Sequence, residues 1–168
     1  MRILGIDPGL RLTGYGLVEV CGPRVGFVEA GVIRTSPRAT LPDRLRELHA
    51  GVQEILADGR PSSLVLEDVF AHPRFPKTAI IMGHVCGVIG LAAAQAHVPV
   101  HTISPAAIKR AMVASGQAGK GQVQRMVRIL LDLTEEPGSH AADALAIALV
   151  AASRRGAVLE PAAARGSA

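Results

Sequence analysis

Apolar and polar positions change period several times along this chain, and the changes predict its elements. Arg2-Ile3-Leu4-Gly5-Ile6-Asp7 is a short apolar run that the turn dipeptide Pro8-Gly9 stops, the pattern of a strand central to a sheet. Gly14 to Val20 and Arg24 to Arg34 alternate as antiparallel strands do, with Cys21-Gly22-Pro23 between them. From Leu41 to Leu56 the period becomes helical, with Leu45, Leu48, Val52, Ile55 and Leu56 on one stripe. Ser63 to Glu67 reads as another buried strand. The loop AHPRFPK leads into an apolar helix from Thr78 to Gln95, followed by a strand from Val98 to Ile103. Ser104-Pro105 starts a helix by the N-cap and N1 rule, and Gly116 ends it. Two further helices span Gln122 to Leu133 and Ala141 to Arg154.

The first three strands form a meander, and the later ones need helical crossovers. The expected fold class is α/β: a five-stranded mixed sheet with helices on both faces. Residues 1–155 make one domain, and residues 156–168 lack periodicity and read as a flexible C-terminal tail.

Composition narrows this picture. Hydrophobic residues are 49% of the chain, yet Tyr15, Phe27, Phe70 and Phe75 are its only aromatic residues, so the core is aliphatic. Cys21 and Cys86 form no CxxC pair and no signal-peptide pattern precedes them, which points to free thiols in a cytoplasmic protein. The longest apolar run, Ala79 to Ala94, is short for a membrane span and contains His84, so no membrane association is expected.

Charge changes the picture more. The net charge is only +4, but from Val69 to Leu131 there is no Asp or Glu. That stretch holds Arg74, Lys77, Lys109, Arg110, Lys120, Arg125 and Arg128, and with them every lysine of the chain and four of its six histidines. Such a segment is the footprint of a polyanion-binding face.

Against this basic stretch stand three carboxylates next to apolar backbone. Asp7 and Glu67 each close an apolar strand, and sites in open α/β sheets gather beyond the carboxyl ends of parallel strands. Asp143 heads the stripe continued by Ile147 and Val150, and His140 lies three residues earlier on the same face. Each has a plain structural explanation: an Asx-turn for Asp7, solvation for Glu67, a helix-dipole contact for Asp143. Together, they would repel one another unless cations neutralised them. An oxygen-rich cluster of this kind suits Mg²⁺ or Mn²⁺, and two such ions about 3.5–4 Å apart are the usual device for phosphodiester hydrolysis. Nucleic acid is the polyanion that the basic stretch would hold.

GIDPGLRLTGYGLVEV, LEDVF at 66–70, KGQVQRMVRILL at 120–131 and HAADALAIAL at 140–149 resemble the RuvC family of Holliday-junction resolvases, in order and from Met1 to about Arg154. The resemblance implies a ribonuclease-H-like fold and a homodimeric endonuclease that nicks four-way DNA junctions in recombination and repair. It also implies the RuvA–RuvB branch-migration complex as a partner. It places Asp7, Glu67 and Asp143 on the metal-binding catalytic carboxylates and His140 on a fourth catalytic position, which in many members is Asp. Lys109 and Lys120 match junction-contacting basic residues, and Phe70 matches an aromatic that wedges against bases at the crossover. Two departures stand out. His140 removes a negative charge and favours Mn²⁺, because imidazole is a better ligand for Mn²⁺ than for Mg²⁺. Cys86 stands where many members carry Arg.

Other readings of these residues remain open here. A GIDxG strand end also opens the sugar kinase and actin-like ATPases, but those need a second lobe that 168 residues do not supply. SGQAGKG at 115–121 is not a Walker A loop, since its glycines are too close and Gly121 stands where Ser or Thr must bind magnesium. A ribonuclease-H-like RNA nuclease of the YqgF type would share Asp7 but not so plainly LEDVF and KGQVQ. A junction-binding module weakened by His140 would keep the basic face without cutting.

Overall fold

A computed structural model describes residues 1–68, 76–112 and 121–160. Five strands, β1 (Arg2–Asp7), β2 (Leu12–Cys21), β3 (Arg24–Arg34), β4 (Ser63–Glu67) and β5 (Val100–Ile103), form one sheet in the order β3-β2-β1-β4-β5. The β1/β2 and β2/β3 pairs are antiparallel, whereas β1/β4 and β4/β5 are parallel. The meander and the later crossovers are therefore as the sequence pattern predicts. The helices are α1 (Leu41–Gly59), α2 (Pro76–Gln95), α3 (Pro105–Met112), α4 (Gln122–Leu130) and α5 (Ser139–Ser153).

Alternation along the strands sorts the side chains into two aliphatic cores. Ile3, Val18, Val65 and Ile103 face α3, α4 and α5, while Leu4, Ile6, Leu17, Leu64 and Leu66 face α1 and α2. The period-two rule then carries Asp7 and Glu67, four and two residues beyond Ile3 and Val65, to the α5 side.

Element ends differ from the predicted ones where the backbone, not the apolar pattern, decides. Helix α1 runs past Leu56 to Gly59 and stops at Arg60, whose φ of 44° ends it in the left-handed region. Helix α4 stops at Leu130, with Asp132 at φ 53° soon after, short of the expected Leu133. Strand β5 begins at Val100 and α5 at Ser139. Gly116, the expected end of α3, is outside the described residues.

Helix α5 is not an amphipathic stripe. Between Ala141 and Ala152 every residue is buried except Asp143. An apolar helix packed all round therefore opens to solvent at one acidic position near its start. Helix α2 is as apolar in composition, and Lys77–Gln95 is long and apolar enough to cross a membrane. Its Val85, Ile89, Ala92 and Ala93 pack into the sheet, but Ile80 is 63% and Leu91 53% exposed. Among the described residues no helix of the same chain covers that second face.

Candidate active site

The site forms where β1 and β4 end side by side. Ile6 pairs with Leu66, so Asp7 and Glu67 are the next residues on neighbouring parallel strands. The turn after Asp7 is closed by Thr13, a buried residue whose hydroxyl donates to the Gly9 carbonyl at 2.6 Å. Thr13, rather than an Asx-turn through Asp7, secures the turn, and Asp7 meets His140: the ring Nδ1 lies 3.1 Å from Oδ2. A carboxylate only accepts, so the imidazole N–H donates.

Two glycines bring α5 this close. A β-carbon on Gly5 would overlap the carbonyl oxygen of Ala144, and one on Gly14 would overlap that of His140. Glycine inside a strand marks such a close approach. The helix start thus rests directly on β1 and β2, with His140 over Asp7 and Asp143 one turn further on. These glycines and Thr13 are site-building residues that the motif reading passes over. The signal for them was in the sequence, since Gly5, Gly14 and Gly16 interrupt strands that otherwise favour bulky residues.

All three carboxylates are held above their ordinary ranges. Burial raises Asp7 first, and the hydrogen bond and charge of His140 pull it back. Burial also raises Glu67, helped by the charges of Asp7 and Asp143, while Lys109 opposes the rise. Asp143 is the most exposed of the three, yet desolvation and the charge of Asp7 raise it too. The four acidic and imidazole groups are therefore one electrostatic unit. Lys109 belongs beside it: with Glu67, Pro105, Ile108, Val123, Asp143 and Ile147 it lines a cleft of about 220 Å³. Among the described residues no three His, Cys, Asp or Glu side chains are already gathered at the spacing of a metal shell. Phe70 and Lys120 lie outside the described residues.

The donor chemistry fits a divalent cation. Asp7 raises both Glu67 and Asp143, and Asp143 raises Glu67, so with one imidazole they form an acceptor-rich cluster whose repulsion a multivalent hard cation would relieve.

Comparison with known proteins identifies the family. The family described as Crossover junction endodeoxyribonuclease RuvC matches residues 3–151. A protein of that name from Rhodopirellula baltica is 47% identical over 148 residues, covering 88% of this chain and 83% of its own. The structure of T. thermophilus RuvC in complex with Holliday junction substrate superposes with a TM-score of 0.85 at 37% identity, covering 93% of this chain and 95% of that one. The Thermus thermophilus RuvC structure without that description gives 0.82 at 37% identity, over 96% and 99% of the two chains. With its ribonuclease-H-like sheet and its carboxylates at the ends of β1 and β4, this chain belongs to the RuvC family of crossover junction endodeoxyribonucleases, a family of metal-dependent nucleases.

Proposed function

We propose that this chain resolves four-way DNA junctions, cutting one strand per active site with Asp7, Glu67, Asp143 and His140 as the catalytic, cation-holding set. The observation that carries the reading is the electrostatic coupling of the three carboxylates beside the Lys109 cleft. When bound, two divalent cations supply an activated water and neutralise charge developing on the scissile phosphate. Asp7, Glu67 and Asp143 would hold those cations, and Lys109 is close enough to Glu67 to lead the phosphate backbone toward it. Lys120 and Phe70 are proposed as further junction contacts on the strength of the sequence motifs alone.

His140 has a defined part in this reading. Its Nδ1–H is used on Asp7, which leaves the lone pair of Nε2 free to ligate a metal. We therefore infer a preference for Mn²⁺ over Mg²⁺.

Two opposing strands of a junction must be nicked, so two sites related by a two-fold axis match the substrate. The uncovered face of α2 supports a homodimer in which this helix meets its symmetry mate.

The decisive test replaces Asp7, Glu67 or Asp143 by its amide. Each variant is expected to lose strand cleavage while gel-shift binding of a synthetic junction stays within a few-fold of the parent, because affinity comes mainly from phosphate contacts elsewhere. An Asp143→Asn protein cutting at the parental rate would overturn the assignment.

A further inference from the structure

Strand β3 is an outer edge of the sheet, and its alternation changes sense partway along. Val25 faces the α5 core, yet Ile33, an even number of residues later, packs against the α1 core. The change falls where Leu17 pairs with Glu29 and Val18 with Phe27, which leaves Val28 as an extra residue. A bulge of this kind re-aims the side chains beyond it. Without it, Glu29 would point into the apolar α5 core; with it, Glu29 lies on the α1 side. There the Tyr15 hydroxyl donates to Glu29 Oε1 at 2.6 Å. Two glycines make room: a β-carbon on Gly31 would overlap the Tyr15 ring, and one on Gly51 would crowd Ile33 at 2.9 Å. A cavity of about 290 Å³ results, lined by Tyr15, Ile33, Ile55 and three carboxylates, Glu29, Glu54 and Asp58. Among the described residues no Lys, Arg or His lies within ion-pair distance of these three. Burial, the hydrogen bond to Glu29 and the charges of Glu29 and Glu54 push the Tyr15 hydroxyl up to about 12. The edge beside the cavity is open as well. Among the described residues only β2 pairs with β3. Edge strands are usually guarded by shortness, Lys, Pro or a bulge. Strand β3 has eleven residues with neither Lys nor Pro, and its bulge lies before residues 29–34, which pair regularly with β2.

We propose that residues 29–34 of β3 pair with an extended, basic segment of a partner protein, and that one of its arginine side chains enters the cavity between Tyr15, Glu29, Glu54 and Asp58. An open edge offers a row of backbone donors and acceptors to an added strand, and a side pocket supplies the specificity. Charge selects the occupant. Three carboxylates repel a phosphate backbone, so DNA does not belong on this face. A guanidinium presents five N–H donors in a plane, bonds several carboxylates at once and stacks on an aromatic ring. At about 30 Å³ per water the cavity has the volume of about ten waters, room for one long side chain. The sheet separates this surface from the cleavage site. Tyr15 and Ile33 pack on the α1 side, whereas Asp7 and Glu67 lie on the α5 side, so the partner and the junction occupy opposite faces.

The experiment titrates the full-length protein with a capped hexapeptide of alternating valine and arginine. Calorimetry measures the affinity, and Tyr15 localises it, because the chain has one tyrosine and no tryptophan to fluoresce. Saturable binding with a change in Tyr15 emission is expected, and none with a peptide carrying glutamate in place of arginine. Glu54→Gln combined with Asp58→Asn alters two exposed positions of α1 and should weaken binding at least about tenfold, the loss of a charge-assisted contact. The same variant should cut junctions at the parental rate. Two further peptides, N-methylated at the odd or at the even residues, test the strand. Only alternate N–H groups face a neighbouring strand, so one of these peptides should bind as the unmodified one does and the other should fail. No saturable heat, heat without a Tyr15 response, or equal affinity of the two methylated peptides would overturn the proposal. Dissociation of a protein dimer by the peptide, seen in sedimentation, would assign the edge to a second copy of this chain and overturn the partner reading.

Discussion

The backbone carbonyl of His140 fills the space that a β-carbon on Gly14 would need. Gly14 is also the residue paired with Asp7 across β1 and β2. One missing side chain therefore sets how near the first turn of α5 comes to the β1 carboxylate. The 3.1 Å contact between His140 and Asp7 exists because that approach is open.

Gly14→Ala should separate the two halves of the site without touching any charged group. The overlap is with backbone at a helix start, so the helix must move. Overpacking of this kind costs about 1–3 kcal/mol, and each kcal/mol lowers Tm by about 2–4 °C in a domain of this size. Misplacement on the order of 1 Å can cost about a hundredfold in rate. Calorimetry should find the lower Tm, cleavage assays the slower cutting, and gel shifts nearly parental junction affinity. Parental Tm and rate together would mean that α5 adjusts freely and that Gly14 does not set the geometry.

The raised carboxylates make a stability prediction with a definite sign. Glu67 has an ordinary value of 4.5 and Asp143 one of 3.8, and both are higher in the folded chain. Protonated, they fit the fold; ionised, they strain it. Their unfavourable contribution is absent below the unfolded values and grows as pH rises through the raised folded values. Glu67→Gln should therefore raise the Tm of metal-free protein at pH 7, and the gain should close by about pH 4. Asp143→Asn should do the same more weakly, because solvent screens its exposed carboxylate. Adding Mn²⁺ should reverse the order, stabilising the parent above either variant. A metal-free Glu67→Gln protein less stable than the parent at pH 7 would show that Lys109 outweighs burial at this position.

Much of this architecture was legible in the apolar pattern, for a physical reason. Strand alternation and helix period are imposed by burial, so β1, β3 and β4 and the order of the ten elements among the described residues follow from where Leu, Ile and Val fall. The three carboxylates were legible too, because an acid ending an apolar strand conflicts with its neighbours. What the pattern missed depends on backbone approach and on the far side of a residue. Asp143 was expected on the core-facing side of α5, and it is instead the exposed gap in a helix buried all round. That difference arises because α5 lies in the sheet's groove against Gly5 and Gly14, where small residues, not a hydrophobic stripe, set the contact. In the middle of α2 Val85 is fully buried, whereas Leu91, just as apolar, is exposed. An all-apolar helix carries no periodic signal to say which side faces in.

Metal preference is the measurable consequence of His140. With Nδ1 facing Asp7, the other ring nitrogen, Nε2, is left to serve as a nitrogen ligand, which Mn²⁺ accepts more readily than Mg²⁺. Parent protein should cut faster with Mn²⁺ than with Mg²⁺ at equal concentration. His140→Asp replaces the nitrogen by oxygen and adds a negative charge, and should raise Mg²⁺-supported cutting relative to Mn²⁺. Identical metal titrations for the two proteins would place His140 outside the ligand set, acting on Asp7 alone.

The exposed face of α2 gives the last prediction. Ile80, His84, Gly87, Leu91 and Ala94 are all exposed, and their spacings of four, three, four and three residues form a single seam along the helix. Seams of this period pack against a like seam at a small crossing angle. A side chain on Gly87 would meet nothing in its own chain, so the gap there is room for a neighbour's backbone. Isologous pairing of the two α2 helices would bury Ile80 and Leu91 and relate the two carboxylate clusters by one axis. Ile80→Asp with Leu91→Asp should give a folded monomer, since neither residue belongs to the cores. That monomer should nick single strands slowly and fail to deliver paired nicks, and Gly87→Leu should weaken the dimer by blocking close approach. Sedimentation of the parent as a monomer at micromolar concentration, with paired nicking intact, would remove α2 as the interface and leave its apolar seam unexplained.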